Sequence, residues 1–224
     1  KNRFHIILAG LFLGGHFACF FAGVRLTTIA NATLLGNVAP VFTALLERLH
    51  GQAWNRVTML GLFLSLAGAV IIQGGGLTNP ENTAGNGLAL LSSLFMALAW
   101  IKAKTIRKNT HTIIYSRHLF LIASGTIFIV IFLAGYSPFD FERQHLPWFL
   151  FLGLVPSVLG HNLLNYAVRF ISSTAVASVV LGEPILASFF GFILFQESVP
   201  PASLIGGPMI LIGLYYILSN QSPG

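Results

Sequence analysis

Polar positions punctuate this chain at intervals that match the thickness of a lipid bilayer. Between Arg25 and Glu47 lie 21 uncharged residues, between Arg56 and Glu81 24, and between Glu81 and Lys102 20. Between Arg117 and Asp140 lie 22, between Arg143 and Arg169 25, and no charge follows Glu197. A helix needs ~20 apolar residues to cross a membrane. The spacing predicts eight helices, over residues 6–24, 30–46, 57–73, 87–101, 115–134, 148–166, 174–195 and 203–218. The longest connection, 74–86 (GGGLTNPENTAGN), is rich in Gly, Asn, Thr and Pro and reads as a linker.

Composition narrows the class. Hydrophobic residues make up 55% of the chain and charged residues only 8%, against about 25% charged in a soluble domain. Mean hydropathy is +0.80. A water-soluble domain and a disordered chain are excluded. A transmembrane β-barrel is excluded too, because its strands alternate polar and apolar positions. The expected fold is an all-α polytopic membrane protein. The net charge of +6 rests on only twelve Lys and Arg, and its distribution reads as membrane orientation, with the lipid bilayer as partner and no nucleic acid. With eight spans, ten of the twelve fall on the side of the termini, and only Arg25 and Arg143 on the other. The rule that basic residues stay inside therefore predicts cytoplasmic termini and a cytoplasmic segment 102–111; the expected location is the plasma (bacterial inner) membrane. Cys19 is the single cysteine, so no intrachain disulfide and no cysteine metal site is expected.

The chain repeats itself. Val24 and Arg25 precede Val168 and Arg169 by 144 residues, and Pro40 precedes Pro184 by the same distance. Gly61 and Gly68 precede Gly206 and Gly213 by 145. Helices one to three thus match helices six to eight. A period of five helices inverts the second copy in the membrane, as in many secondary transporters. By the same period, the fourth and fifth helices imply two counterparts ahead of Lys1. The alternative is a three-plus-three repeat around a two-helix insertion.

The stretch 178–197 (SVVLGEPILASFFGFILFQE), together with 39–46 (APVFTALL) and 61–69 (GLFLSLAGA), resembles the EamA-type drug/metabolite transporter superfamily. The resemblance implies ten-helix exporters built of two inverted five-helix repeats. On that pattern, residues 1–73 are the last three helices of the first repeat, 74–86 the linker and 87–219 a complete second repeat. The family pattern closes its fourth helix with a Glu thirteen residues after the Pro. Pro184 has Glu197 there, whereas Pro40 has Ala53, and Glu47 stands only seven residues on.

Candidate chemistry centres on Glu183, which lies in the middle of the seventh helix. A carboxylate at that depth costs about 2.5–3.5 kcal/mol and faces a cavity or a partner. Loss of water there suits proton binding or recognition of a cationic group; a protonated structural latch is the alternative. Pro184 is expected to free the carbonyl of Val180, and Pro40 that of Gly36. Freed backbone at depth is tolerated where it lines a cavity, so Pro40, Pro184 and Gly36 are read as cavity-shaping. Asn37 is a candidate solute contact or an interhelical hydrogen-bonding group. His161 and Asn165 share one face of the sixth helix, and Asn162 and Tyr166 the adjacent one. His161, Asn165 and Asn162 join the candidates, either lining a pathway or bonding across helices. His16 and His118 read as packed histidines, Trp100 and Trp148 as interface anchors, and Gly10 and Gly14 as a close helix contact.

HExxH, CxxC, GxSxG and Walker A patterns do not occur, and Asp140 is the only aspartate. No enzyme activity, metal or cofactor is expected. The reading is a secondary transporter that moves a small organic solute by alternating access, with a coupling proton as a candidate partner and a homodimer left open. The proposed site lies between the second, sixth and seventh helices. A non-transporting truncated scaffold is the alternative, and a channel the third.

Overall fold

Among the described residues, eight apolar helices of membrane-spanning length form where the charge spacing predicts them. They are α1 (Arg3–Val24), α2 (Ile29–Leu49), α3 (Arg56–Gln73), α4 (Pro80–Arg107), α5 (Thr112–Leu133), α6 (Arg143–Ala167), α7 (Ser173–Leu194) and α8 (Pro201–Ser219). The computed structural model describes residues 2–53, 55–73 and 77–221, and no strand occurs among them. The chain is an all-α polytopic membrane protein.

Boundaries differ from expectation at the start of α6, which begins at Arg143 and not at residue 148, and at both ends of α4. Residues 74–76 of the linker lie outside the described residues. The linker's far end is already helical, since a 3-10 turn at Pro80–Asn82 leads straight into the helix at Thr83. Pro80 suits the first helical position because it has no N–H to leave unpaired, and the Thr83 hydroxyl donates to the Pro80 carbonyl at 2.8 Å. At its other end α4 runs to Arg107, so most of the basic segment 102–111 is helix and only 108–111 is a connection. Lys104 and Arg107 stand on this helix with their charged groups on backbone carbonyls of other segments, so charges do not mark its end.

Three helices are irregular, each for a local reason. The first half of α2, Ile29–Gly36, is separated from the second, Ala39–Leu49, by Asn37 and Val38. α7 comprises Ser173–Ser178, a 3-10 stretch Val179–Gly182 and Glu183–Phe195. The two breaks keep the repeat register. Thr28 caps α2 by accepting from the Asn31 N–H at 3.1 Å, and Ser172, 144 residues later, caps α7 by accepting from the Ala175 N–H at 3.1 Å. The second halves begin at Ala39 and Glu183, again 144 apart, each with a proline next. In α6, Pro156 has no N–H for the helical ladder, and a π-helix opens over Gly153–His161 around it.

The repeat is also visible in packing. α3 and α8 run antiparallel in close contact through the four glycines of the sequence repeat. A Cβ on Gly61 would sit 2.5 Å from the Gly213 carbonyl oxygen, and one on Gly68 2.5 Å from that of Gly206. Gly206 and Gly213 meet the carbonyls of Gly68 and Gly61 in return. Such reciprocity is what a two-fold relation between inverted copies requires, and small residues let the backbones approach.

α1 packs on α4 and α5. A Cβ on Gly10 would lie 2.6 Å from Ile122 Cβ, and one on Gly14 2.9 Å from the Ala123 carbonyl, so this pair is the close contact expected. The repeat counterpart of α1, α6, is bare along most of its length, with no buried residue from 146 to 160. Trp100 is corrected from interface anchor to core. It is 5% exposed, in the cluster of Leu13, Tyr115 and Leu119, because α4 continues past it and keeps it inside the bundle. Trp148, 66% exposed, remains free to meet lipid.

The glycine crossing predicts that Gly61→Leu lowers stability by about 1–3 kcal/mol through forced separation of α3 and α8. Gly125→Ala, with nothing within 4 Å of the new Cβ, should leave stability level or slightly raised. Thermal unfolding in detergent measures both, and equal melting temperatures for the two variants would refute the role given to the crossing.

Candidate functional site

The broken helices meet at their breaks. Asn37 ends the first half of α2, its backbone N–H still bonded to Thr33, and its side-chain amide donates to Glu183 Oε2 at 2.7 Å. Glu183 is the first residue of the second half of α7. There it lies against the partial positive charge of a helix N-terminus. The carboxylate therefore has two sources of favourable interaction, one amide donor and one half-helix dipole. Beyond them Glu183 is exposed, so the group is held yet reachable. Gly36 has a definite part in this geometry. A Cβ there would come within 3.0 Å of the Phe20 ring, so its absence lets α1 lay an aromatic face against the break.

One expectation about the backbone is corrected. The Val180 carbonyl is not freed by Pro184, because it accepts the N–H of Glu183 in a 3-10 bond. Tightening the turn satisfies the group locally, as helix ends commonly do.

The polar face of α6 contributes to a second centre. The His161 ring is edge-on to Phe17 at 5.8 Å and to Phe120 at 6.2 Å, and stacked on Trp100 at 6.5 Å. Asn165 is buried, and its amide donates to Ser116 Oγ at 3.1 Å. A cavity of about 10 Å³ lies between His161, Asn165, Trp100 and Tyr115, at the lower limit for one water molecule. Asn162 bonds instead to its own helix, donating to the Val158 carbonyl at 2.5 Å across the π-helical turn. Tyr166, on the adjacent face, is 57% exposed. The structure thus brings Asn37 together with Glu183 and His161 together with Asn165. His16 is satisfied by Ser92, through its carbonyl at 3.0 Å and its hydroxyl at 2.9 Å, and His118 by the Ile114 carbonyl at 2.8 Å.

A third set of polar groups lies at the bundle end that carries most of the basic residues. A cavity of about 250 Å³ opens there, lined by Glu47, Arg48, Lys104, Ser172, Thr174 and Gln221 among others. Beside it Arg107 is 1% exposed; it donates to the Asn165 carbonyl at 2.8 Å and to the Thr110 carbonyl and Thr112 hydroxyl. Sequence reasoning treated Glu47, Lys104 and Arg107 as punctuation between spans. The run Ser172–Ser173–Thr174 before an apolar stretch was the available signal of a helix start in need of partners.

The chain is similar in sequence to known proteins along nearly its full length. The EamA-like transporter family matches residues 1–74 and 83–219. An uncharacterized transporter of Archaeoglobus fulgidus is 28% identical over 212 residues, covering 92% of this chain and 72% of that protein. The uncharacterized transporter YdfC of Bacillus subtilis is 26% identical, covering 87% and 64% respectively. A chloroplastic WAT1-related protein of Arabidopsis thaliana is 23% identical, covering 96% of this chain and 54% of that protein. A crystal structure with 13% sequence identity superposes with a TM-score of 0.73 over 95% of this chain and 86% of that chain. The fold is therefore one already seen, and the chain belongs to the EamA-like transporter family, as an integral multi-pass membrane transporter.

Proposed function

We propose that this protein is a secondary transporter that moves a small organic metabolite or drug across the plasma membrane by alternating access. In this reading Glu183 and Asn37 bind the solute or a coupling proton, and Pro40, Pro184 and Gly36 shape the path. One observation carries the reading: two helices related by the repeat are interrupted at equivalent positions, and a hydrogen bond of 2.7 Å joins them there. Paired discontinuous helices at the interface of inverted repeats are where such transporters bind their cargo, because half-helix ends and unwound backbone supply polar groups at depth. His161 and Asn165, which face α1, α4 and α5, are a second pair of candidate solute contacts, with Asn162 beside them at the end of the π-helical turn of α6.

The same reading assigns residues 1–73 and 87–219 to two inverted halves joined by 74–86. α1 rests on α4 and α5, whereas its counterpart α6 presents bare apolar surface. Two helices equivalent to α4 and α5, ahead of α1 in the first half, would cover it. The basic end of the bundle, with both termini, is cytoplasmic, as the ten-to-two division of Lys and Arg supports.

Two experiments test this function. Glu183→Gln keeps an acceptor for Asn37 and removes the charge, so solute flux in vesicles should fall at least about tenfold with the melting temperature level or raised. Near-normal flux in a well-folded Gln variant would remove Glu183 from the mechanism. For orientation, with Cys19 replaced by Ser, a cysteine at Thr78 should react with an impermeant thiol reagent added outside cells and one at Asn109 should not; the reverse pattern would overturn the topology.

A further inference from the structure

At the basic end, Glu47 of α2 binds the start of α7. Its Oε1 accepts from the Ser173 N–H at 2.8 Å and its Oε2 from the Thr174 hydroxyl at 2.6 Å. The first N–H groups of a helix have no partner within it, and negative charge is favoured there. Two more groups fasten the same segment. Gln221, just beyond α8, accepts from the Ser172 N–H at 3.0 Å, and Lys104 of α4 donates to the Ile171 carbonyl at 2.9 Å. The second half of α2 packs along the first half of α7 as a result.

The repeat tells what should stand at the opposite end. Position 47 corresponds to Gly191, and Ser173 and Thr174 correspond to Ile29 and Ala30 at the start of α2. Gly191 has no side chain, yet a carboxylate is delivered to it. The chain reverses at Gln196, which has a left-handed φ of 57°, and the Glu197 N–H donates to the Gly191 carbonyl at 3.2 Å. Glu197 Oε2 then lies 2.9 Å from where a Gly191 Cβ would be. The two halves thus hold a carboxylate at equivalent points, reached from different sequence positions: Glu47 directly with Ala53 following, and Gly191 with Glu197 folded back onto it. Their states differ. Among the described residues the Glu197 carboxylate has no hydrogen bond, and the second half of α7 is not among the closely packed neighbours of the first half of α2.

We propose that Glu47 and Glu197 are the two gate residues of the transporter, each closing one end of the α2–α7 pathway by capping the start of the opposing helix. In this structure the Glu47 gate is shut and the Glu197 gate is open. In the opposite state Glu197 caps α2 at Ile29 and Ala30, and Glu47 releases Ser173 and Thr174. The inference rests on the alternating-access reading, and its test needs no knowledge of the solute. Ser178 is fully buried one turn beyond the Glu47 gate. With Cys19→Ser and Ser178→Cys as background, labelling by an impermeant maleimide is measured in inside-out vesicles, with the reagent on the basic side. Glu47→Ala should speed labelling about tenfold, and Glu197→Ala, which destabilises the opposite state, should slow it about threefold. If Glu47→Ala does not insert, Thr174→Val removes one of the two bonds and should give a smaller acceleration. Unchanged labelling in the folded Glu47 or Thr174 variant would overturn the gate. Unchanged labelling in Glu197→Ala would overturn the pairing of gates. Failure of the transport reading itself would show separately, as solute flux in vesicles carrying the unaltered protein no greater than in protein-free vesicles.

Discussion

Lipid offers no hydrogen-bond partners, so a helix that breaks halfway across a membrane must find substitutes within the protein. That constraint governs α2 and α7. Their breaks are closed by a short list of contacts: the Asn37 N–H to Thr33, the Glu183 N–H to Val180, and the Asn37 amide to the Glu183 carboxylate. The last is the contact between the two halves at the level of the breaks. It couples a charged group, which lipid would penalise, to the one neighbouring helix whose own interruption supplies an amide. Removing either break would leave the other with a polar group and no partner.

The remaining architecture keeps these two helices aligned. The α3–α8 glycine crossing fixes the halves in reciprocal contact. The caps Thr28 and Ser172 start α2 and α7 at equivalent points. Symmetry of backbone is combined with asymmetry of side chains. The repeat counterpart of Glu183 is Ala39 and that of Asn37 is Leu181, so one polar pair joins the two breaks. One carboxylate there, instead of two, avoids placing like charges together at depth.

Much of this was legible in the sequence. Charge spacing located all eight spans, because a bilayer imposes a length that charges must respect. The glycines of α3 and α8 were visible as a repeat, and the prolines marked both breaks. What escaped has physical causes. The C-terminal end of α4 was misplaced because Lys104 and Arg107 are long enough to sit on a helix while their charged groups reach carbonyls beyond it. Trp100 was misread because proximity to charges does not reveal which face of a helix is covered. The face shared by His161 and Asn165 was read correctly, but a periodicity does not name the helices it meets, and these proved to be α1, α4 and α5. The fold-back of Glu197 onto Gly191 depends on one left-handed residue, Gln196, for which the sequence carries no glycine or asparagine as a signal.

The joining of the two breaks by Asn37 and Glu183 is most directly tested by a double-mutant cycle on unfolding free energy, with Asn37→Ala, Glu183→Ala and the double variant measured under the same conditions. A direct bond between them predicts a coupling energy of about 1–3 kcal/mol, with the double variant less destabilised than the sum of the singles. Single-variant effects that add to within about 0.3 kcal/mol would contradict it.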